Sequence, residues 1–299
     1  LAVLNATATT VKQMLQDITS FLIDAQNFSA GTAWQLMRPA VIDASTTEVI
    51  VKGVGDGKDE IYIGMKIKAQ GTDQENILLN GFCGYDANLE WYEQPGAIYK
   101  DCLPCVPLAK DVFMTYWLTA NTTRITLHVE MSNQYETAYL GFITPVAIER
   151  QYPYPLAIGG SAYDGMLWND KGDAHSAYFA PHISKEGFSA LCIRRPDGVW
   201  RYGGSTLLTW PINTAPVDTL TVYKKSSQEA TMEDHMLYPV MLYETDPVGM
   251  LGVFDGLYWI GGRADLSVKD NVIYKDKTYK IFNNIFRRED DQYHVIEWA

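Results

Sequence analysis

From Thr10 to Ala25, apolar residues recur mostly at spacings of three and four: Val11, Met14, Leu15, Ile18, Leu22 and Ala25 share one side of a helical wheel, with Phe21 at its margin. That period predicts an amphipathic helix with one buried stripe. Thr7, Thr9 or Thr10 can cap its start, and Asn27-Phe-Ser-Ala-Gly31 supplies the stop signal. Beyond it the period changes to two. In Ile61 to Lys68, the residues Ile61, Ile63, Met65 and Ile67 alternate with Lys66 and Lys68, and in Arg124 to Met131 the set Ile125, Leu127, Val129 and Met131 alternates with Arg124, Thr126, His128 and Glu130. Such alternation predicts antiparallel strands with one face in the core and the other in water.

Turn spacing organises these strands. Val112 to Thr119, Thr123 to Met131 and Gln134 to Ile143 are separated only by Ala120-Asn-Thr122 and Ser132-Asn133, which predicts a three-strand meander. A second β-rich stretch covers Phe188 to Arg195, Thr219 to Lys224 and Met236 to Glu244, with a turn at Pro196-Asp-Gly198. Leu257 to Gly261, Val272 to Tyr274, Thr278 to Phe286 and Tyr293 to Trp298 read as closing hairpins. No second helical segment matches the first. The expected fold is mainly β, with antiparallel sheets in a sandwich-like or barrel-like arrangement and one N-terminal amphipathic helix. The expected organisation is a helical arm at 1–31, a β domain at 32–160 that holds the meander, and a second β-rich region at 161–299 that can continue the first. A soft boundary falls at Gly159-Gly-Ser-Ala162 or in the loop Trp168 to Asp173.

Composition narrows the classes. An apolar content of 47% over 299 residues is enough for a large core. Nineteen tyrosines fit strands, where aromatic side chains pack well on a pleated surface. The formal net charge of −12 argues against a nucleic-acid backbone as the main partner, since phosphate binding needs a basic stripe. No apolar run is long enough to cross a bilayer, and the opening LAVLNATATT lacks the basic and apolar regions of a secretory leader. The expectation is a soluble chain made in a reducing cytoplasm, with no membrane partner.

Candidate chemistry is sparse. Gly53-Val-Gly-Asp-Gly-Lys58 suggests a phosphate cradle, but Lys58 is followed by Asp59 and then by a strand, where such sites need a helix N-terminus; a hairpin turn accounts for it. Cys102-Leu-Pro-Cys105 has redox spacing without a surrounding βαβ pattern, so free thiols in a turn are expected. The histidines at 128, 175, 182, 235 and 294 form no metal-binding pair, and His175, His182 and Asp173 are the nearest cluster. Asn169 to Asp173 is only loosely calcium-like, and Gly159-Gly-Ser161 lacks the second glycine and the helix of a nucleophile elbow. Paired carboxylates such as Glu289-Asp-Asp291 lie in a polar turn, although glycan hydrolysis can draw its two carboxylates from distant positions. The expectation is a protein without enzymatic activity, metal or cofactor.

One resemblance adds to this reading. Ala138 to Ser161, containing the stretch QYPYPLAIGGS, resembles a recurring segment of virion structural proteins of tailed bacteriophages; Phe113 to Thr119, Arg124 to Leu127, Tyr279 to Arg287 and Tyr293 to Trp298 fit the same pattern. The resemblance implies a non-enzymatic part of the particle, in the neck or the tail, hence a virion location. The expected partners are other copies of the chain and neighbouring neck or tail proteins, with DNA passing through an acidic lumen without specific binding. An alternative is a receptor-binding or glycan-binding protein of the tail tip or baseplate, which would use aromatic pairs such as Trp91-Tyr92 and Tyr178-Phe179. Proline fixes Tyr152-Pro-Tyr-Pro155 in an extended conformation with both rings projecting. Tyr152 and Tyr154, with Met14, Ile18, Phe21 and Leu22 of the helix, are therefore the candidate interface residues.

Overall fold

The computed structural model describes residues 1–29, 31–39, 47–56, 59–101, 103–146, 155–171, 175–176, 190–203, 207–210, 237–245, 248–260, 266–285 and 293–299. Three antiparallel sheets and one α-helix make up the described fold, and no sheet closes into a barrel. The central sheet runs in the order β1 (Ala2–Ala8), β7 (Met114–Ala120), β8 (Arg124–Met131), β9 (Gln134–Phe142), β11 (Leu156–Gly160), β13 (Leu191–Arg194) and β14 (Trp200–Tyr202). On one side lies a sheet of β12 (Ala162–Tyr163), β6 (Pro104–Val106), β5 (Glu75–Phe82), β4 (Asp59–Ala69), β3 (Thr47–Asp56) and β2 (Gln35–Arg38). On the other lies a sheet of β15 (Leu207–Trp210), β16 (Leu237–Thr245), β17 (Val248–Ile260), β20 (Tyr293–Glu297), β19 (Lys277–Asn283) and β18 (Asn271–Tyr274); β10 (Thr144–Pro145) also pairs with β17.

The three sheets are layers, and the central one is covered on both faces. Ile125, Leu127, Val129 and Met131 of β8 share a core with β3, β4, β5 and the helix. Trp117, Tyr135, Tyr139 and Ile193 of the same central sheet share a second core with Val240, Phe254, Trp259 and Phe282 of the C-terminal sheet. This corrects the expectation of half-solvated strands. The face of β8 predicted to meet water carries Arg124, Thr126 and His128, all at most 1% exposed. Alternation reports only that the two faces differ in polarity; a second polar layer packed on top satisfies the same pattern.

The meander is observed where predicted, with β7 paired to β8 and β8 to β9. Ser132 (φ 46°) and Asn133 (φ 68°) close the second hairpin between the opposed residues Met131 and Gln134. Positive φ at both central positions suits the right-handed twist of the flanking strands. The Gly53 to Lys58 stretch lies on a β3–β4 hairpin, although residues 57 and 58 are outside the described set. The turn at Pro196 to Gly198 is present, with Gly198 at φ 82°.

Helix α1 (Val11–Ile23) also follows its pattern: Thr10 is the N-cap and its side chain accepts a hydrogen bond from the backbone NH of Gln13. It does not belong to a separate arm. Just before it, separated only by Thr9 and Thr10, the seven residues of β1 are paired along their length with β7 of the central sheet. The helix itself buries Val11, Met14, Leu15, Ile18 and Leu22, and the Tyr116 hydroxyl of β7 donates to the Asp17 carboxylate at 3.1 Å. Five such side chains contribute about 1.5–3 kcal/mol each, comparable in total to the ~5–15 kcal/mol stability of a whole domain. Detaching the helix would therefore unfold the protein.

The chain on either side of residue 160 contributes to one sheet, since β11 pairs with both β9 and β13. The pair Gly159-Gly160 lies within that sheet and passes close to a neighbour of the same chain. A Cβ on Gly160 would sit 2.1 Å from the backbone oxygen of Cys105. Gly160→Ala is accordingly expected to destabilise the fold by about 1–3 kcal/mol, measured as a lower urea midpoint with unchanged slope.

Candidate functional site

The segment most distinctive in sequence bridges two layers. From β9 the chain reaches out as β10 to pair with Thr144 opposite Val253 and Pro145 opposite Gly252, then returns to the central sheet as β11. Around this crossing the interface between the central and C-terminal sheets holds two polar clusters, and a third lies on the opposite face of β9, toward the N-terminal sheet.

In the first, Arg124 of β8 donates from Nε to Asp255 Oδ2 at 2.7 Å and from Nη1 to Thr119 Oγ1 at 2.9 Å. Asn121 Nδ2 donates to the same Asp255 oxygen at 3.0 Å, and the Thr119 and Thr126 hydroxyls are 2.6 Å apart. Burial acts to raise the Asp255 pKa, but the Arg124 charge together with the hydrogen bonds from Arg124 and Asn121 prevails and holds the carboxyl below its usual range. Gly256 (φ 68°) leaves the space that the guanidinium occupies, because a Cβ there would meet Arg124 Nη2 at 2.1 Å.

In the second, His128 of β8 and His294 of β20 face each other with their Nε2 atoms 3.0 Å apart, and Phe282 stacks on His128 at 3.9 Å. One ring donates and the other accepts, so both are neutral. Burial pushes His294 down to about 3, and burial, with the repulsion that two protonated rings would exert on each other, lowers His128 well below the ordinary histidine value.

In the third, the fully buried Glu136 of β9 accepts from Ser161 Oγ at 2.5 Å and lies 2.8 Å from His175 Nε2. His175 Nδ1 lies 2.8 Å from the Asp170 backbone oxygen, which fixes the ring. Burial acts to lower the His175 pKa, but the charge and hydrogen bond of Glu136 prevail and hold it above its ordinary value. The order of contacts is serine to glutamate to histidine, with the carboxylate in the middle. A nucleophilic serine needs the imidazole next to it as base, so the arrangement is an ion pair with a hydroxyl attached.

Elsewhere, an open groove of about 700 Å³ lies beside β4 and the loop from Glu90 to Lys100, which includes a short 3-10 turn at Trp91–Glu93. Lys66 of β4 bonds Glu48 at 2.9 Å and holds its ammonium 4.6 Å from the centre of the Tyr92 ring. Of the aromatic pair Trp91-Tyr92, Trp91 is fully buried and serves the core, while Tyr92 lines the groove.

The structure separates the candidate interface residues. Met14, Ile18 and Leu22 are buried in the protein's own core, and Phe21 packs against its edge. Tyr152 and Tyr154 lie outside the described residues, as do Cys102, Asp173, Tyr178, Phe179, His182, His235 and Glu289 to Asp291. Cys105 sits in β6 instead of a turn, and burial raises its thiol pKa, opposite to what a reactive thiolate requires. Among the described residues, no group of three or more His, Cys, Asp or Glu side chains is arranged to hold a metal ion. Sequence reasoning missed Glu136 and Asp255, which are single acidic residues without a motif. No protein-family model matches the chain, and none of the curated proteins matches it.

Proposed function

We propose that this chain is a structural subunit of a tailed-phage virion, a β-sheet building block that assembles with copies of itself into a ring of the neck or tail. The observation that supports assembly is the rim of the C-terminal sheet. β18 is its last strand, and among the described residues no strand pairs with its outer edge. Ile273, in the middle of that strand, is 75% exposed. An unpaired strand edge is a template for another strand. The virion assignment rests on the resemblance of Ala138 to Ser161 and of the closing segments Tyr279 to Arg287 and Tyr293 to Trp298.

The wild-type chain is expected to run as a multiple of its 33.6 kDa mass at micromolar concentration in light scattering coupled to gel filtration. Ile273→Lys is expected to shift it to the monomer without lowering its melting temperature. Equal masses for the two proteins would remove β18 as the contact. Absence of the chain from purified phage particles would overturn the virion assignment.

A further inference from the structure

The geometry points to the groove beside β4 as a binding site for a neutral oligosaccharide, a property independent of assembly. Its volume of about 700 Å³ falls within the ~300–1,000 Å³ of small-molecule sites. Two tyrosines line it, and Tyr99 is 59% exposed. An exposed ring of this kind presents a flat apolar face to the C–H face of a pyranose, while its hydroxyl remains a hydrogen-bonding group. The other ring, Tyr92, is already braced, with the Lys66 ammonium on one side and the Trp91 ring packed edge-on at 5.0 Å.

The charged lining sets the class of ligand. Lys66 and Lys100 line the same groove as Glu90 and Glu93, so both signs are present, with Lys66 also paired to the buried Glu48. A polyanion would need a cationic excess, and an extended cation an anionic one. A sugar uses both signs, because each hydroxyl donates to a carboxylate and accepts from an ammonium group.

The wall is also built before any ligand arrives. Gln94, 2% exposed, donates to the backbone oxygens of Asp86 and Leu89 at 2.9 Å each, and accepts from the Asp86 NH at 2.9 Å. Ile98 donates its NH to Asn80 Oδ1 at 2.9 Å, next to Tyr99. Trp200 of the central sheet donates to the Gly96 oxygen at 2.6 Å, and Cys83 donates its NH to the Pro95 oxygen at 2.7 Å. A loop held at this many points loses little conformational freedom on binding, which favours weakly interacting ligands such as neutral sugars.

The test is to apply the purified full chain to immobilised neutral hexose and N-acetylhexosamine oligosaccharides, with sialylated and sulfated glycans as separate arms, followed by titration calorimetry of the best neutral probe. Neutral glycans are expected to bind, with Tyr99→Ala and Glu93→Gln each weakening affinity at least ten-fold. Phe113→Ala, which removes an exposed ring outside the groove lining, is expected to bind as the wild type does. Matching melting curves would show that the variants are folded. Binding confined to the anionic arms, no binding of any neutral glycan, or unchanged affinity of both groove variants would each overturn the proposal.

Discussion

Lowering the pH from 7 to 5 is expected to destabilise the protein by about 4 kcal/mol, through the buried histidine pair His128 and His294. Both have folded-state pKa values below the ordinary one, so the unfolded chain binds protons that the folded chain excludes. Stability from this pair is therefore complete above pH ~6.5 and is lost as the pH falls from there toward the folded values, by about 1.4 kcal/mol per pH unit for each ring. Protonating the accepting ring in place would also break the 3.0 Å contact, because both facing Nε2 atoms would then carry a hydrogen and neither could accept. His175 has the opposite sign. Its raised pKa gives a contribution that is complete below pH ~6.5 and fades only as the pH rises through the folded value, so it does not drive the acid loss. Urea denaturation at pH 7, 6 and 5 measures the effect. The double variant His128→Leu/His294→Leu should lose most of the slope in this window, and a slope equal to that of the wild type would refute the assignment.

The second large effect is expected at Glu136. Glu136→Ala leaves His175 and Ser161 without their shared acceptor in the protein interior, where all three side chains are buried. Removing one partner of such a pair typically costs about 3–5 kcal/mol, most of it from the uncompensated group left behind. Glu136→Gln retains an acceptor while removing the charge, so it should cost less and should lower the His175 pKa. Urea midpoints at pH 7 give the energies, and an NMR titration of the imidazole gives the pKa. A loss below about 1 kcal/mol for the alanine variant, within the range of an ordinary surface substitution, would mean that the cluster is not a structural tie.

The contrast between α1 and β8 shows how much was legible. The helix could be read from its own residues: a stripe of spacing three and four, a threonine cap and a stop signal are local features. Its destination could not. Met14, Ile18 and Leu22 were candidates for a partner's surface because the stripe specifies burial without saying against what, and β1 before the helix ties it to the central sheet. The β8 pattern was read equally well for register and wrongly for solvent. Arg124, Thr126 and His128 are polar because they meet polar residues, and Asp255 and His294 lie more than 130 positions further along the chain.

The groove has the same history. Trp91-Tyr92 stood out as an adjacent aromatic pair, but neighbours in a turn point to different places, and only Tyr92 reaches the groove. Tyr99, Glu93 and Lys66 carried no signal because no spacing rule links a strand residue to a loop some thirty positions away.

By itself the sequence determined what depends on near neighbours along the chain: the helix and its cap, the antiparallel meander with its two-residue turn, and the β-dominated class. Periodicity and turn chemistry act over a few residues, so they are written locally. The tertiary structure decided which polar residues are buried, which glycine passes a neighbouring backbone and which strand is left at the rim. Each of those depends on stacking three sheets, and therefore on contacts between residues far apart in the chain.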